Sequence, residues 1–159
     1  MDIQKNDIIQ LWEVLGKYSV RYIMIGGFAV NFHGHNRFTD DIDVWLFDSV
    51  ENREKFGTAL EEIGVGSKEI IQRMQFVPGW SMMHLRMGFP LDVMTKVKGL
   101  DKMSFEKYYE MAIKANIKGT IVPFLHINHL LDSKISANRR KDLDDIEALE
   151  IIKKEDEQS

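Results

Sequence analysis

Hydrophobic residues recur along this chain with two periods, and the switches between them mark out its elements. Ile8, Leu11, Trp12 and Leu15 fall three or four residues apart, the spacing of one helical face, and Gly16 follows as a stop. Residues 21–25 are short, β-branched and aromatic, which predicts a strand. Gly26-Gly27 breaks it, and residues 28–32 then read as a short helix ending near Gly34. From 41 to 47 the period becomes two. Ile42, Val44 and Leu46 share one side, and Asp41, Asp43 and Trp45 the other, so this segment predicts a strand with one buried face. Phe56, Leu60 and Ile63 place a helix over 52–63, closed by Gly64.

The second half is read in the same way. Residues 70–77 and 82–87 predict strands joined by a turn at Pro78-Gly79. Residues 91–95 predict another strand, with Pro90 just ahead of it, where a missing N–H does little harm. A helix is expected over 105–115, with an extended reading open for 112–117, and Gly119 separates it from a strand over 120–124. Helices over 127–137 and 142–152 close the chain, and the charged segment 153–159 is expected to fray. Residues 1–152 thus predict one α/β domain without internal repeat or low-complexity linker.

Composition narrows the function classes. With 44% hydrophobic residues among 159, the chain can bury a core. A formal charge of -4 argues against a general nucleic-acid coat, which needs a basic surface. The absence of cysteine excludes disulfides and thiolate metal sites and fits a cytoplasmic location. The first residues carry Asp2 and Lys5 and no long apolar stretch, so no secretory signal is expected there. The longest apolar run, residues 22–30, falls far short of the ~18 residues of a membrane helix.

Three features then combine. Gly26-Gly27 at a strand–helix junction allows close backbone approach to a phosphate, next to helix N–H groups. Asp41 and Asp43, two apart on a strand, project from the same face as hard oxygen ligands suited to Mg²⁺. Asp92 lies on a later strand between Leu91 and Val93. Should that strand neighbour the first, three carboxylates meet, and such crowding requires a cation. Taken singly, each has a bland reading: a turn, a solvated strand face, an aspartate at the sheet edge.

The segment YIMIGGFAVNFHGHNRFTDDIDVWL resembles the signature of the DNA polymerase β-type nucleotidyltransferase superfamily: a hydrophobic strand, Gly-Gly, a spacer, then Asp-hydrophobic-Asp. Asp92 in FPLDVMT matches its third carboxylate. HLLDSKISANRRKDLDDIEAL resembles the tail of small stand-alone bacterial members, among them AbiEii-like nucleotidyltransferases of toxin–antitoxin and phage-defence systems. The resemblance runs from about residue 20 to 152, with little likeness over 52–82. It implies a mixed sheet with helices mainly on one side and a helical C-terminal extension. It also implies transfer of a nucleoside monophosphate from a nucleoside triphosphate such as ATP, with pyrophosphate leaving. Asp41 and Asp43 would hold the Mg²⁺ on the triphosphate, and Asp92 a second ion. The acceptor stays open between a tRNA, a protein hydroxyl and a small molecule such as an aminoglycoside or lincosamide. An antitoxin partner is also compatible. The competing classes are a non-catalytic nucleotide- or partner-binding module of the same fold and a plain α/β interaction domain.

The closing helices add a clue from geometry. Ile127, Leu130, Leu131 and Ile135 form an apolar stripe, and at 100° per residue Lys134 falls inside it. Asp142 likewise falls between Ile146 and Leu149. Inward charges need a partner or a ligand. Either Lys134 reaches the triphosphate and Asp142 positions it, or Lys134 snorkels and Asp142 caps a helix. Arg37, ahead of the carboxylates, is read as a phosphate contact or a structural ion pair, and Asp40 as a solvated loop residue. Trp45 is either a wall for a nucleotide base or core. His33, His35, His126 and His129 are read as polar turn residues, since no further ligand nearby supports a zinc site. His84 is read as a residue at the core edge, and Met82, Met83 and Met87 as core filler. Arg139, Arg140 and Lys141 make a basic turn, open between an RNA contact and a solvated linker.

Overall fold

A computed structural model describes residues 2–76, 82–84 and 89–159. In chain order it forms α1 (Asp2–Lys17), β1 (Tyr22–Ile25), α2 (Gly26–Phe32), β2 (Ile42–Leu46), α3 (Val50–Glu62) and α4 (Lys68–Arg73). Then follow β3 (Met82–His84), β4 (Pro90–Met94), α5 (Phe105–Met111), β5 (Ile113–Ile117) and β6 (Thr120–Phe124). Helix α6 (Ile127–Ala137), a 3₁₀ turn (Arg140–Asp142) and α7 (Leu143–Gln158) complete the chain.

The six strands form one mixed sheet in the order β3-β4-β2-β1-β6-β5. Strands β1 and β6 run parallel, as do β2 and β4, and the other three pairings are antiparallel. The two-residue alternation sorts side chains to two faces. Met24 lies opposite Val44, and Val44 opposite Val93, on the apolar face. Helix α1 covers that face at β6, where Trp12 meets Phe124 edge-on at 5.8 Å, and α3 packs beside α1. The other face carries Ile25 opposite Asp43, and Asp43 opposite Asp92.

Three expectations from the sequence are corrected. Residues 68–73 are helical, whereas a strand was expected from 70 onward. Two of the N–H groups that open α4 find local acceptors: Lys68 N–H donates to Glu61 Oε2 at 2.7 Å and Ile70 N–H to Ser67 Oγ at 3.3 Å. Of the apolar pair that suggested a strand, Ile71 is buried and Ile70 exposed, which suits one side of a surface helix. The helix expected over 105–115 stops at Met111, and the extended reading left open for 112–117 holds, with Ile113–Ile117 as the edge strand of a hairpin with β6. Helix α7 continues to Gln158, through the segment expected to fray, because KKEDEQ is built from good helix formers. The Pro78-Gly79 turn and Met87 lie outside the described residues, and so do the side chains of Met82 and His84. Met83 is half-buried against the core.

The entry to α3 shows how a polar residue fixes the sheet. Asn52 is buried, and its Nδ2 donates to the carbonyls of Arg21 at 2.9 Å and Phe47 at 2.7 Å. Its Oδ1 accepts from Arg21 N–H at 2.8 Å. One side chain therefore ties the start of β1 to the end of β2 and holds the register that aligns Ile25 with Asp43. Asn52→Ala removes the side-chain partner of Arg21 N–H and of Phe47 O and leaves Arg21 O with Phe47 N–H alone, and urea unfolding should show a loss of about 2–4 kcal/mol. A loss below about 0.5 kcal/mol, the range of an ordinary surface substitution, would contradict this role.

Candidate active site

The site lies where β1 ends and β2 begins. Gly26 has φ +67°, in the left-handed region that disfavours a side chain. A Cβ built on it would fall 2.1 Å from Asp43 Oδ2, so the carboxylate occupies the space that this glycine leaves open. A Cβ on Gly27 would fall 2.4 Å from Thr39 Oγ1 and 3.3 Å from Arg37 Nη1. Both glycines are required by close approach of the site's own side chains.

The sheet register brings the acidic residues together. Asp43 and Asp92 are direct partners across the parallel β2–β4 pair and share a face. Asp41 directly precedes β2, and its carbonyl accepts from Thr39 Oγ1 at 3.1 Å. Burial, followed by the negative charges of Asp41 and Asp92, pushes the Asp43 carboxyl up to about 7, while Lys134 and Arg139 pull it down. Asp40 is exposed. Trp45, on the same face, is not free to flank a base. It packs on Phe105 and Tyr108 at 5.1 and 5.4 Å, and its Nε1–H donates to Thr95 O at 3.1 Å.

Lys134 and Asp142 belong to a chain of ion pairs that the sequence reading saw only in part. Lys134 is buried, with Nζ 3.1 Å from Asp142 Oδ1 and 3.0 Å from Asp145 Oδ2. It does not snorkel, and Asp142 makes no side-chain cap to α7. Asp145 accepts from Arg37 through Nε at 2.7 Å and Nη2 at 2.9 Å, and His35 Nε2 lies 3.7 Å away. Asp142 accepts from Arg139 Nε at 2.7 Å and Nη2 at 3.3 Å. Burial pushes both carboxyls up. Hydrogen bonds from Arg139 to Asp142 and from Arg37 to Asp145, together with Lys134, outweigh it and hold both below the ordinary value. Asp145 was missed, although its place three residues after Asp142 puts it on the same inward stripe of α7.

The histidines divide. His126 accepts from Asn128 N–H at the start of α6, and His33 Nε2 lies 2.7 Å from Leu125 O. His129 is not a turn residue: it is buried on α6 against Tyr108 at 4.8 Å.

Among the described residues, no group of three or more His, Asp or Glu side chains stands close enough together to hold a metal ion. The chemistry of Asp41, Asp43 and Asp92 nonetheless fits Mg²⁺. All three are hard oxygen donors, and the mutual repulsion that raises Asp43 is what a dication relieves.

The Gly-Gly turn at the end of β1 and the aspartates that pair across β2 and β4 are the features that carry the sequence resemblance to nucleotidyltransferases. The chain belongs to the family described as "Nucleotidyltransferase of unknown function (DUF6036)", whose family model matches residues 5–158. No curated protein matches the sequence. Solved structures share the fold at low identity. ANT(2″)-Ia in complex with adenylyl-2″-tobramycin is 16% identical with a TM-score of 0.61, the match covering 94% of each chain. The lincosamide antibiotic adenylyltransferase LnuA, lincomycin-bound, is 19% identical with a TM-score of 0.59, over 92% of this chain and 96% of that one. An antigenic nucleotidyltransferase-like protein from Paracoccidioides brasiliensis is 19% identical with a TM-score of 0.54, over 87% of this chain and 71% of that one.

Two outcomes follow from this geometry. Lys134→Met removes the cation between two buried carboxylates and should cost about 3–5 kcal/mol in chemical denaturation. A cost under 1 kcal/mol would show that Arg37 and Arg139 suffice. The second outcome concerns pH. The unfolded chain keeps residue 43 at the ordinary 3.8, whereas the folded, metal-free chain keeps its proton up to about 7. Between these values the folded state binds the extra proton, so its stability falls as pH rises. In EDTA, wild type should therefore lose stability relative to Asp43→Asn from pH 5 to pH 8. A difference that is flat over that range would contradict the raised carboxyl.

Proposed function

We propose that the chain transfers a nucleoside monophosphate from a nucleoside triphosphate to a hydroxyl of a small molecule, using Mg²⁺ held by Asp41, Asp43 and Asp92. The observation that carries this reading is the pairing of Asp43 with Asp92 across β2 and β4, directly over Gly26. Two mutually repelling carboxylates on adjacent strands, with a third two residues before one of them, are an arrangement whose electrostatic cost a dication relieves.

The residues divide the work. Gly26 and Gly27 bring the β1–α2 turn close to the site, and among the described residues no side chain caps the start of α2, which leaves its first N–H groups for phosphate oxygens. Arg37, fixed by Asp145, stands against Gly27 at the same turn. Lys134 and Asp142 act one step back, as parts of the ion chain that holds the C-terminal helices to the site. When bound, Mg²⁺ supplies charge neutralisation at the attacking and leaving oxygens. The acceptor oxygen bonds to the α-phosphorus as the bond to the bridging oxygen breaks. Pyrophosphate leaves with that electron pair, and Asp92 takes the acceptor's proton.

The small-molecule acceptor is favoured by the structural neighbours. ANT(2″)-Ia is in complex with adenylyl-2″-tobramycin and LnuA is lincomycin-bound, and these chains match this one over nearly its whole length. The formal charge of -4 is a poor match for a large RNA acceptor.

Incubation with each α-labelled nucleoside triphosphate, a panel of hydroxylated antibiotics, total RNA and protein tests the reading. Label should enter the small-molecule fraction in Mg²⁺ and be lost in EDTA. Asp43→Asn should reduce incorporation to background without loss of fold. Undiminished labelling by that variant would refute the metal assignment. Label in RNA or in protein would move the acceptor to a macromolecule, as a toxin–antitoxin member would require.

A further inference from the structure

The ion chain holds three cations against two buried carboxylates. One positive charge is left in excess beside the acidic cluster, and the hydrogen bonds show where it is exposed. Lys134 is 6% exposed, and both carboxylates engage it. Each nitrogen of the Arg37 guanidinium already has an acceptor, Nε and Nη2 on Asp145 and Nη1 on Phe38 O at 2.9 Å. Arg139 differs. Its side chain is 52% exposed, Nε and Nη2 lie on Asp142, and Nη1 has no partner among the described residues.

We propose that Arg139 is the cation that meets the triphosphate, and that Lys134 and Asp142 position it. This rests on the nucleotidyltransferase reading and deepens it. Asp142 is buried and locked by Lys134, so it holds one edge of the guanidinium and turns the other to solvent. The short loop that carries Arg139 is fixed at both ends. Asn138, at φ +51°, donates its N–H to the carbonyls of Lys134 and Ile135, and Asp142 N–H donates to Arg139 O at 3.0 Å. A guanidinium oriented before its ligand arrives loses little freedom on binding, and its free edge suits phosphate oxygens. The ion chain runs from Arg139 through Asp142, Lys134 and Asp145 to Arg37, whose Nη1 stands 3.3 Å from the Cβ position of Gly27, so Arg139 belongs to the same cluster as the Gly26-Gly27 turn. Arg140 and Lys141, its neighbours, are exposed and have no such anchor among the described residues.

The test is calorimetric binding of α,β-methylene-ATP and of AMP, each with Mg²⁺. Arg139→Ala should weaken the triphosphate about 10- to 100-fold, the range for one charge-assisted hydrogen-bonding group. AMP affinity should change less than about 2-fold, because the contact is to the outer phosphates. Arg139→Lys, which keeps the charge without the fork, should fall between wild type and Arg139→Ala and guards against misfolding of the alanine variant. Arg140→Ala with Lys141→Ala should match wild type. Triphosphate binding by Arg139→Ala equal to wild type, equal losses for AMP and triphosphate, or an equal loss in the Arg140/Lys141 variant would each overturn the assignment. Wild-type protein that binds no triphosphate in Mg²⁺ would overturn the nucleotidyltransferase reading as well. Wild-type binding with an unaffected Arg139→Ala would overturn Arg139 alone.

Discussion

Carboxylates that share a half-buried cleft need a compensating cation or a bound proton, and the register between β2 and β4 obliges Asp43 and Asp92 to share one. That register is not adjustable. A slip of one residue would turn Ile42, Val44, Leu91 and Val93 out of the core and the aspartates into it. The apolar face of the sheet thus fixes where the charges on its opposite face must meet. Gly26 completes the constraint, because any side chain there would collide with Asp43. The hydrophobic core and the polar site are two sides of the same strands.

The C-terminal helices answer that concentration of negative charge. Lys134 on α6 sits between Asp142 and Asp145, which in turn hold Arg139 and Arg37. A buried ion network of this kind is a poor source of net stability, since desolvation offsets much of the attraction. Its value here is positional. It links the loop before β2, the end of α6 and the start of α7, so the closing helices carry charge to the site and do not merely extend the domain. Within the ion chain three cations face two carboxylates, which leaves one positive charge beside the aspartates of the sheet.

Much of the fold was legible because its signals are local. The two-residue alternation over 41–47 placed Asp41 and Asp43 on one side, and the helical stripe over 127–135 turned Lys134 inward. Segments failed where one short signal has two physical outcomes. Ile70-Ile71 reads as strand by composition, yet Ser67 and Glu61 satisfy the opening N–H groups of a helix there. The Asp43–Asp92 pairing was only a conditional expectation, because it depends on strand order, which no local pattern encodes. Asp145 carried the right spacing and was overlooked beside Asp142. Trp45 shared the carboxylate face, but only the packing of α5 across the sheet shows that it is enclosed.

In the proposed function, Asp41, Asp43 and Asp92 gather around a divalent cation when a triphosphate is present. A crystal structure with Mn²⁺ and a non-hydrolysable nucleoside triphosphate tests it most directly, through the anomalous signal of the metal. A peak is expected within coordination distance of all three carboxylates, next to the Gly26-Gly27 turn. Manganese bound elsewhere on the chain, with the three carboxylates left without metal, would contradict it.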